Sequence, residues 1–131
     1  MMNFAGVPQF GLLGDWCSVE PFCPGSSDGC LNTPGWTSGD ATTAFYFIKS
    51  VEDLLKMASL TGHHDDISTY TKVLSIAKAA YHKAFYNATT EDYGASQTGN
   101  ALAIAAGIPP DAASQAGALA ALTSNILARG E

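Results

Sequence analysis

Residues 43–85 read TAFYFIKSVEDLLKMASLTGHHDDISTYTKVLSIAKAAYHKAF. Ala44, Phe47, Ile48, Val51, Leu54, Leu55 and Ala58 recur at spacings of three and four, with Lys49, Glu52, Asp53 and Lys56 between them. That period places one apolar stripe on a helix. Asp40 or Thr42 is positioned to cap its start, and Gly62 to end it. His63-His64-Asp65-Asp66 is then a turn, with Asp65 or Asp66 capping a second helix. The second stripe is Tyr70, Val73, Leu74, Ala77, Ala80, Tyr81, Ala84 and Phe85. Two such helices joined by a short turn form an antiparallel α-hairpin.

Working outward, a polar loop follows Asn87 and runs to Gly94. Ser96 is the expected cap of a shorter third helix through Ala101, Leu102, Ile104 and Ala105, stopped by Gly107 and Pro109-Pro110. Asp111 is the expected cap of a fourth, with Leu119, Leu122 and Ile126 on its inner face and Arg129-Gly130 at its end. The third and fourth helices make a second hairpin, rich in alanine, so helices can approach them closely on more than one side. Nothing in the pattern suggests a β-sheet. The expected organisation is all-α: a loop region over 1–42, a first α-hairpin over 43–86 and a second over 96–130.

The first forty residues differ. Pro8, Pro21, Pro24 and Pro34 and seven glycines interrupt regular structure there. The same stretch carries Trp16, Phe22 and Trp36, and a long loop with rigid aromatic surface is more often functional than a linker. Its three cysteines, Cys17, Cys23 and Cys30, are one ligand short of a zinc site. For a secreted protein they fit one local disulfide with a thiol left over or paired elsewhere. Asn87-Ala88-Thr89 is an N-glycosylation sequon. Together these features point to an extracellular or secretory-pathway setting, although Met1 to Gly6 does not read as a signal peptide.

The 131 residues carry 6 Lys+Arg against 12 Asp+Glu, a net charge of −6, with 47% hydrophobic and 14% charged residues. An acidic chain lacks the cationic surface that nucleic acid requires. The hydrophobic fraction is too high for a disordered chain. No apolar run approaches the ~20 residues of a membrane span. The charged fraction falls below the ~25% of ordinary soluble domains, so much of the surface is expected to be covered by the rest of a larger domain.

The chain has no G-x-S-x-G, H-E-x-x-H, P-loop or dinucleotide pattern. His63, His64 and Asp65 resemble a metal cluster, but neighbours in a turn point different ways and Asp65 is needed as a cap. No metal or cofactor is expected, and His82 is expected to face solvent. Gly14-Asp15-Trp16 sets a carboxylate beside an indole, a pairing suited to a sugar's hydroxyls and its apolar C–H face. Taken alone, the same residues also fit a packing anchor and a turn. Asp15, Glu20, Asp28 and Asp40 are carboxylates of the kind glycoside hydrolysis uses, but sequence spacing does not fix their separation in space.

A set of short stretches, in order, adds to this reading: Gly14-Asp15-Trp16-Cys17, Thr43-Ala44-Phe45-Tyr46-Phe47, Leu54 to Ala58, Thr61 to Tyr70, Ala84-Phe85-Tyr86-Asn87, Ser96 to Ala103, and Asn125 to Gly130. In these the chain resembles the catalytic domain of bacterial-type α-L-rhamnosidases, the six-hairpin glycosidases of glycoside hydrolase family 78. The stretch from Ser18 to Ser38 is the least similar. The resemblance implies an (α/α)6 barrel of which the chain supplies roughly the middle, and inverting hydrolysis of terminal α-L-rhamnosides. It also implies that Trp16, with Asp15 beside it, lines the sugar pocket. The family's general acid lies in an acidic-arginine motif upstream and its general base in a Trp-Glu motif downstream. Neither motif is present, so no catalytic residue is assigned and the chain alone is expected to be inactive, its partners being a rhamnosyl glycoside and the rest of the domain. Two other readings share the helix pattern: a six-hairpin glycosidase of different sugar specificity, and a non-catalytic helical carbohydrate-binding or interaction module.

Overall fold

The computed structural model describes residues 37–94 and 96–129, the side chain of Arg129 excepted. The N-terminal expectations, on Asp15, Trp16, Glu20, Asp28 and the three cysteines, lie outside the described residues. Those described form four helices and no strand: α1 Gly39–Thr61, α2 His64–Phe85, α3 Gln97–Ala105 and α4 Ala112–Arg129. α1 packs along α2, α3 along α4, and α3 also lies against α1. The expected all-α pair of hairpins is what the chain builds.

The helix starts correct part of the sequence reading. α1 begins at Gly39, and its cap is Ser38, whose Oγ accepts from the Ala41 N–H at 3.2 Å. Asp40 and Thr42 fall inside the first turn. There the Asp40 carboxylate faces the positive end of the helix dipole, and the Thr42 hydroxyl donates to the Ser38 carbonyl. α2 starts one residue before Asp65, and His63 occupies the cap position without a side-chain bond to the helix's first N–H groups. Asp65 and Asp66 therefore act through the helix dipole and not as caps. Gly62, Ser96 and Asp111 do what their types suggest. Gly62 has φ 76°, and the His63 N–H returns to the Ala58 carbonyl at 2.9 Å, closing α1 in a Schellman motif. Ser96 Oγ accepts from the Gly99 N–H at 2.8 Å, and Asp111 Oδ1 from the Ser114 N–H at 2.8 Å.

The core lies between the hairpins. α1 contributes Ala41, Ala44 and Ile48, and α2 contributes Ala77, Ala80 and Tyr81. The second hairpin adds Ala103, Ala106, Ile108 and Ala118, and the intervening loop adds Tyr93. Alanines at the contacts let backbones approach while Ile48 and Tyr81, each 1% exposed, fill the space between them. Lys78 of α2 reaches Glu52 of α1 at 2.9 Å, and Lys49 shares that carboxylate.

α4 departs from its expected inner face. Ser114 and Ala118 are buried, Leu122 and Ile126 are half-buried, and Leu119 points outward at 53% exposure. α3 and α4 pack on one another, and the fully buried position on α4 is an alanine, Ala118, which lets the helix backbones approach closely. Leu127 on α4, Leu60 and Met57 on α1 and Ile76 on α2 are also more than half exposed. Large apolar side chains thus remain bare on the outer faces of both hairpins.

Candidate functional site

Polar chemistry concentrates in the loop between the hairpins. Asn87 and Asp92 form an isolated antiparallel bridge that closes it. Asp92 Oδ1 then accepts from the Gly94 N–H at 3.0 Å and the Thr90 hydroxyl at 2.9 Å. Asn100, in the first turn of α3 and fully buried, holds the loop's far end. Its Oδ1 accepts from the Tyr93 N–H at 3.0 Å, and its Nδ2 donates to the carbonyls of Gly94 at 2.9 Å and Ser96 at 3.0 Å. The Tyr93 N–H and the Gly94 carbonyl belong to no helix, and the Ser96 carbonyl is the cap carbonyl of α3, so Asn100 ties the loop to the start of that helix. The buried hydroxyls of Ser96 and Thr37 meet at 2.5 Å, tying the residue before the α1 cap to the start of α3. The N-terminal segment carrying Asp15 and Trp16 joins the described fold at Thr37.

An aromatic cluster lies beside this loop. His82 stacks on Tyr86, with centroids 4.5 Å apart and planes inclined by 22°, and its Nδ1 lies 2.7 Å from the Tyr93 hydroxyl. Tyr81 and Tyr86 pack on Tyr93. Burial pushes the Tyr93 phenol well above its ordinary value, and the neighbouring tyrosines and Asp111 add to the effect. Tyr93 therefore keeps its proton, and its hydroxyl shares a hydrogen bond with His82 Nδ1. His82 is thus half-buried in a specific contact and does not face solvent as the helix pattern suggested. The i, i+4 pair His82–Tyr86 was visible in the sequence, but the partner Tyr93 lies across a loop whose path the sequence does not give. Next to this cluster is a cleft of about 490 Å³ between α2, at Ser75, Lys78 and His82, and the turn from Gly107 to Pro110.

Hydrolysis of a glycoside needs one carboxyl held protonated and another held ionised. Among the described residues, two carboxyls have clearly displaced titrations, and both move downward. Burial alone would raise Glu52, but hydrogen bonds from Lys49 and Lys78 overcome that and leave it below its ordinary value. Asp111 is lowered by the backbone and hydroxyl bonds from Ser114. Both are engaged as structural acceptors, which suits neither for giving up a proton to a leaving group. The structure brings Asp65 and Asp66 together with His63 and His64 at one turn, but the His63 Nδ1 is occupied by the Thr61 hydroxyl at 2.8 Å. Among the described residues no group of three or more His, Cys, Asp or Glu is placed to hold a metal ion, and no helix is long and apolar enough to cross a membrane.

Residues 8–131 match the model of a protein family described as the bacterial alpha-L-rhamnosidase 6 hairpin glycosidase domain. No match was found among curated proteins or solved structures.

Proposed function

The chain belongs to the bacterial α-L-rhamnosidase six-hairpin glycosidase domain family, and on that footing we propose that it forms part of an (α/α)6 barrel that hydrolyses terminal α-L-rhamnosides with inversion. The observation that carries this reading is the family match over nearly the whole chain. The outward-facing Leu119, Leu127, Leu60 and Ile76 support it, because hairpins of a closed ring bury such faces on their neighbours. In the proposed reaction a protonated carboxyl donates to the leaving oxygen while an opposing carboxylate deprotonates water, across ~6.5–9.5 Å. Those two carboxyls come from parts of the domain beyond these 131 residues. The residues here contribute the wall of the site: the Trp16 indole covers the apolar face of the rhamnose ring and Asp15 accepts from its hydroxyls. The sequon and the cysteine cluster support an extracellular or secretory-pathway location.

Turnover of an aryl α-L-rhamnoside tests this. The 131-residue chain alone is expected to be inert, and a protein carrying these residues within the whole domain to be active. In the latter, Trp16→Ala raises KM. Activity of the isolated chain that disappears in Asp15→Asn would move the chemistry into this segment. Preference of the whole domain for glucosides or mannosides would assign another sugar specificity, and binding without turnover of any glycoside would make this a non-catalytic module.

A further inference from the structure

The sequon noted in the sequence has a definite place in the fold. Of the five asparagines only Asn87 is followed two residues later by Ser or Thr, with no proline between. It opens the exposed tip of the inter-hairpin loop, where Asn87, Ala88, Thr89 and Thr90 all face solvent. The tip is held in shape: the Asn87 N–H donates to the Asp92 carbonyl at 2.8 Å, and the Asp92 N–H returns to the Asn87 carbonyl at 3.3 Å. The side chain is oriented as well. Asn87 Oδ1 accepts from the Thr89 N–H at 2.9 Å, and among the described residues none accepts from its Nδ2. The part of the loop pressed on the protein is different: the Glu91 backbone lies against Gly117 of α4, and Tyr93 is buried. Buried Asn100, by contrast, has both side-chain ends committed to the backbone.

We propose that Asn87 is a site of N-linked glycosylation and that the folded chain carries the glycan on this tip without rearrangement. The donor is a lipid-linked oligosaccharyl diphosphate. A bond forms between Asn87 Nδ2 and C1 of the first sugar, the C1–O bond to the diphosphate breaks, the lipid diphosphate leaves and Nδ2 gives up one proton. The inference rests on the secretory-pathway reading and not on the glycosidase reading.

The test supplies the compartment, so that its failure is separate from a failure of the localisation. The chain is expressed behind a cleavable secretion leader in yeast and analysed by denaturing gel and mass spectrometry before and after endoglycosidase. One discrete mass step is expected, removed by the enzyme and absent in Asn87→Gln and Thr89→Ala but kept in Thr89→Ser. Because transfer precedes folding, these variants lose the step whether or not they fold. The glycosylated and enzymatically deglycosylated chains are expected to give superimposable circular dichroism spectra and the same melting midpoint. An unshifted wild-type chain, a step that persists in Asn87→Gln, or helicity that returns only after deglycosylation overturns the proposal. Location is read separately, from whether the protein in its own cells reaches the secretory compartment.

Discussion

Replacing Asn100 by Ala removes three hydrogen bonds at once, and the structure says which of them matter. The Gly94 carbonyl is on an exposed residue and can bond to water when Nδ2 is gone. The Ser96 carbonyl keeps its place as the first acceptor of α3. The Tyr93 N–H has no such alternative, because Tyr93 is 5% exposed and Asn100 Oδ1 is its acceptor. An orphaned buried donor costs about 1–3 kcal/mol, and the lost bond to Ser96 adds about 1. The expected destabilisation is therefore about 3 kcal/mol, a fall of about 1.5 M in the urea midpoint for a slope near 2 kcal/mol/M. Circular dichroism through a urea titration at pH 7 measures it. Asn100→Asp sharpens the test. It keeps an acceptor for Tyr93 but turns a carboxylate oxygen toward two carbonyls, so the folded state favours the protonated acid. Its folded pKa is raised, and its deficit against wild type should grow as pH rises through the carboxylate range and shrink in acid. A change below about 0.5 kcal/mol in Asn100→Ala would mean that the loop is not held by this side chain.

Gly117→Ala would ordinarily favour a helix by about 0.5–1 kcal/mol. Here the new Cβ meets the Glu91 backbone carbonyl and lies 2.8 Å from Glu91 Cβ, so a destabilisation of about 1–3 kcal/mol is expected in a thermal melt. Burial pushes the Tyr81 phenol up to about 12, and among the described residues its hydroxyl has no hydrogen-bond partner. Stability that Tyr81 contributes is present below its unfolded value near 10 and is lost as pH rises toward 12. Tyr81→Phe should then be neutral or stabilising at pH 7 and should flatten the decline of the melting midpoint above pH 10. Leu127 is 72% exposed, so Leu127→Gln should leave the stability of the isolated chain within about 0.5 kcal/mol while lowering its binding of a hydrophobic dye.

Much of the fold was legible because helices announce themselves through period and punctuation. The stripe from Ala44 to Ala58, the left-handed Gly62, and the caps Ser96 and Asp111 are local features, and local geometry decided them. The misreadings share a different cause. Ser38, not Asp40, is the cap because α1 begins at Gly39, which places Asp40 inside the first turn. Hydrophobicity places Leu119 inward, whereas the buried positions of α4 are the small residues Ser114 and Ala118. The helix pattern places His82 toward solvent because its partner Tyr93 comes from a loop. Asn100 lies within the stretch from Ser96 to Ala103, where its sequence neighbours give no sign that its side chain makes three bonds to the backbone. For the sugar site, Asp15 and Trp16 were suggested by residue chemistry together with the family resemblance, and the described residues add only the anchor at Thr37 that they share a segment with.

The proposal that these helices belong to an inverting rhamnosidase ring is tested most directly by the anomer first released. Hydrolysis of an aryl α-L-rhamnoside by the whole domain carrying these residues, followed by proton NMR within the first minutes, should show β-L-rhamnose appearing before mutarotation. First release of α-L-rhamnose would contradict the inverting carboxyl geometry, and no release from a rhamnoside at all would contradict the substrate.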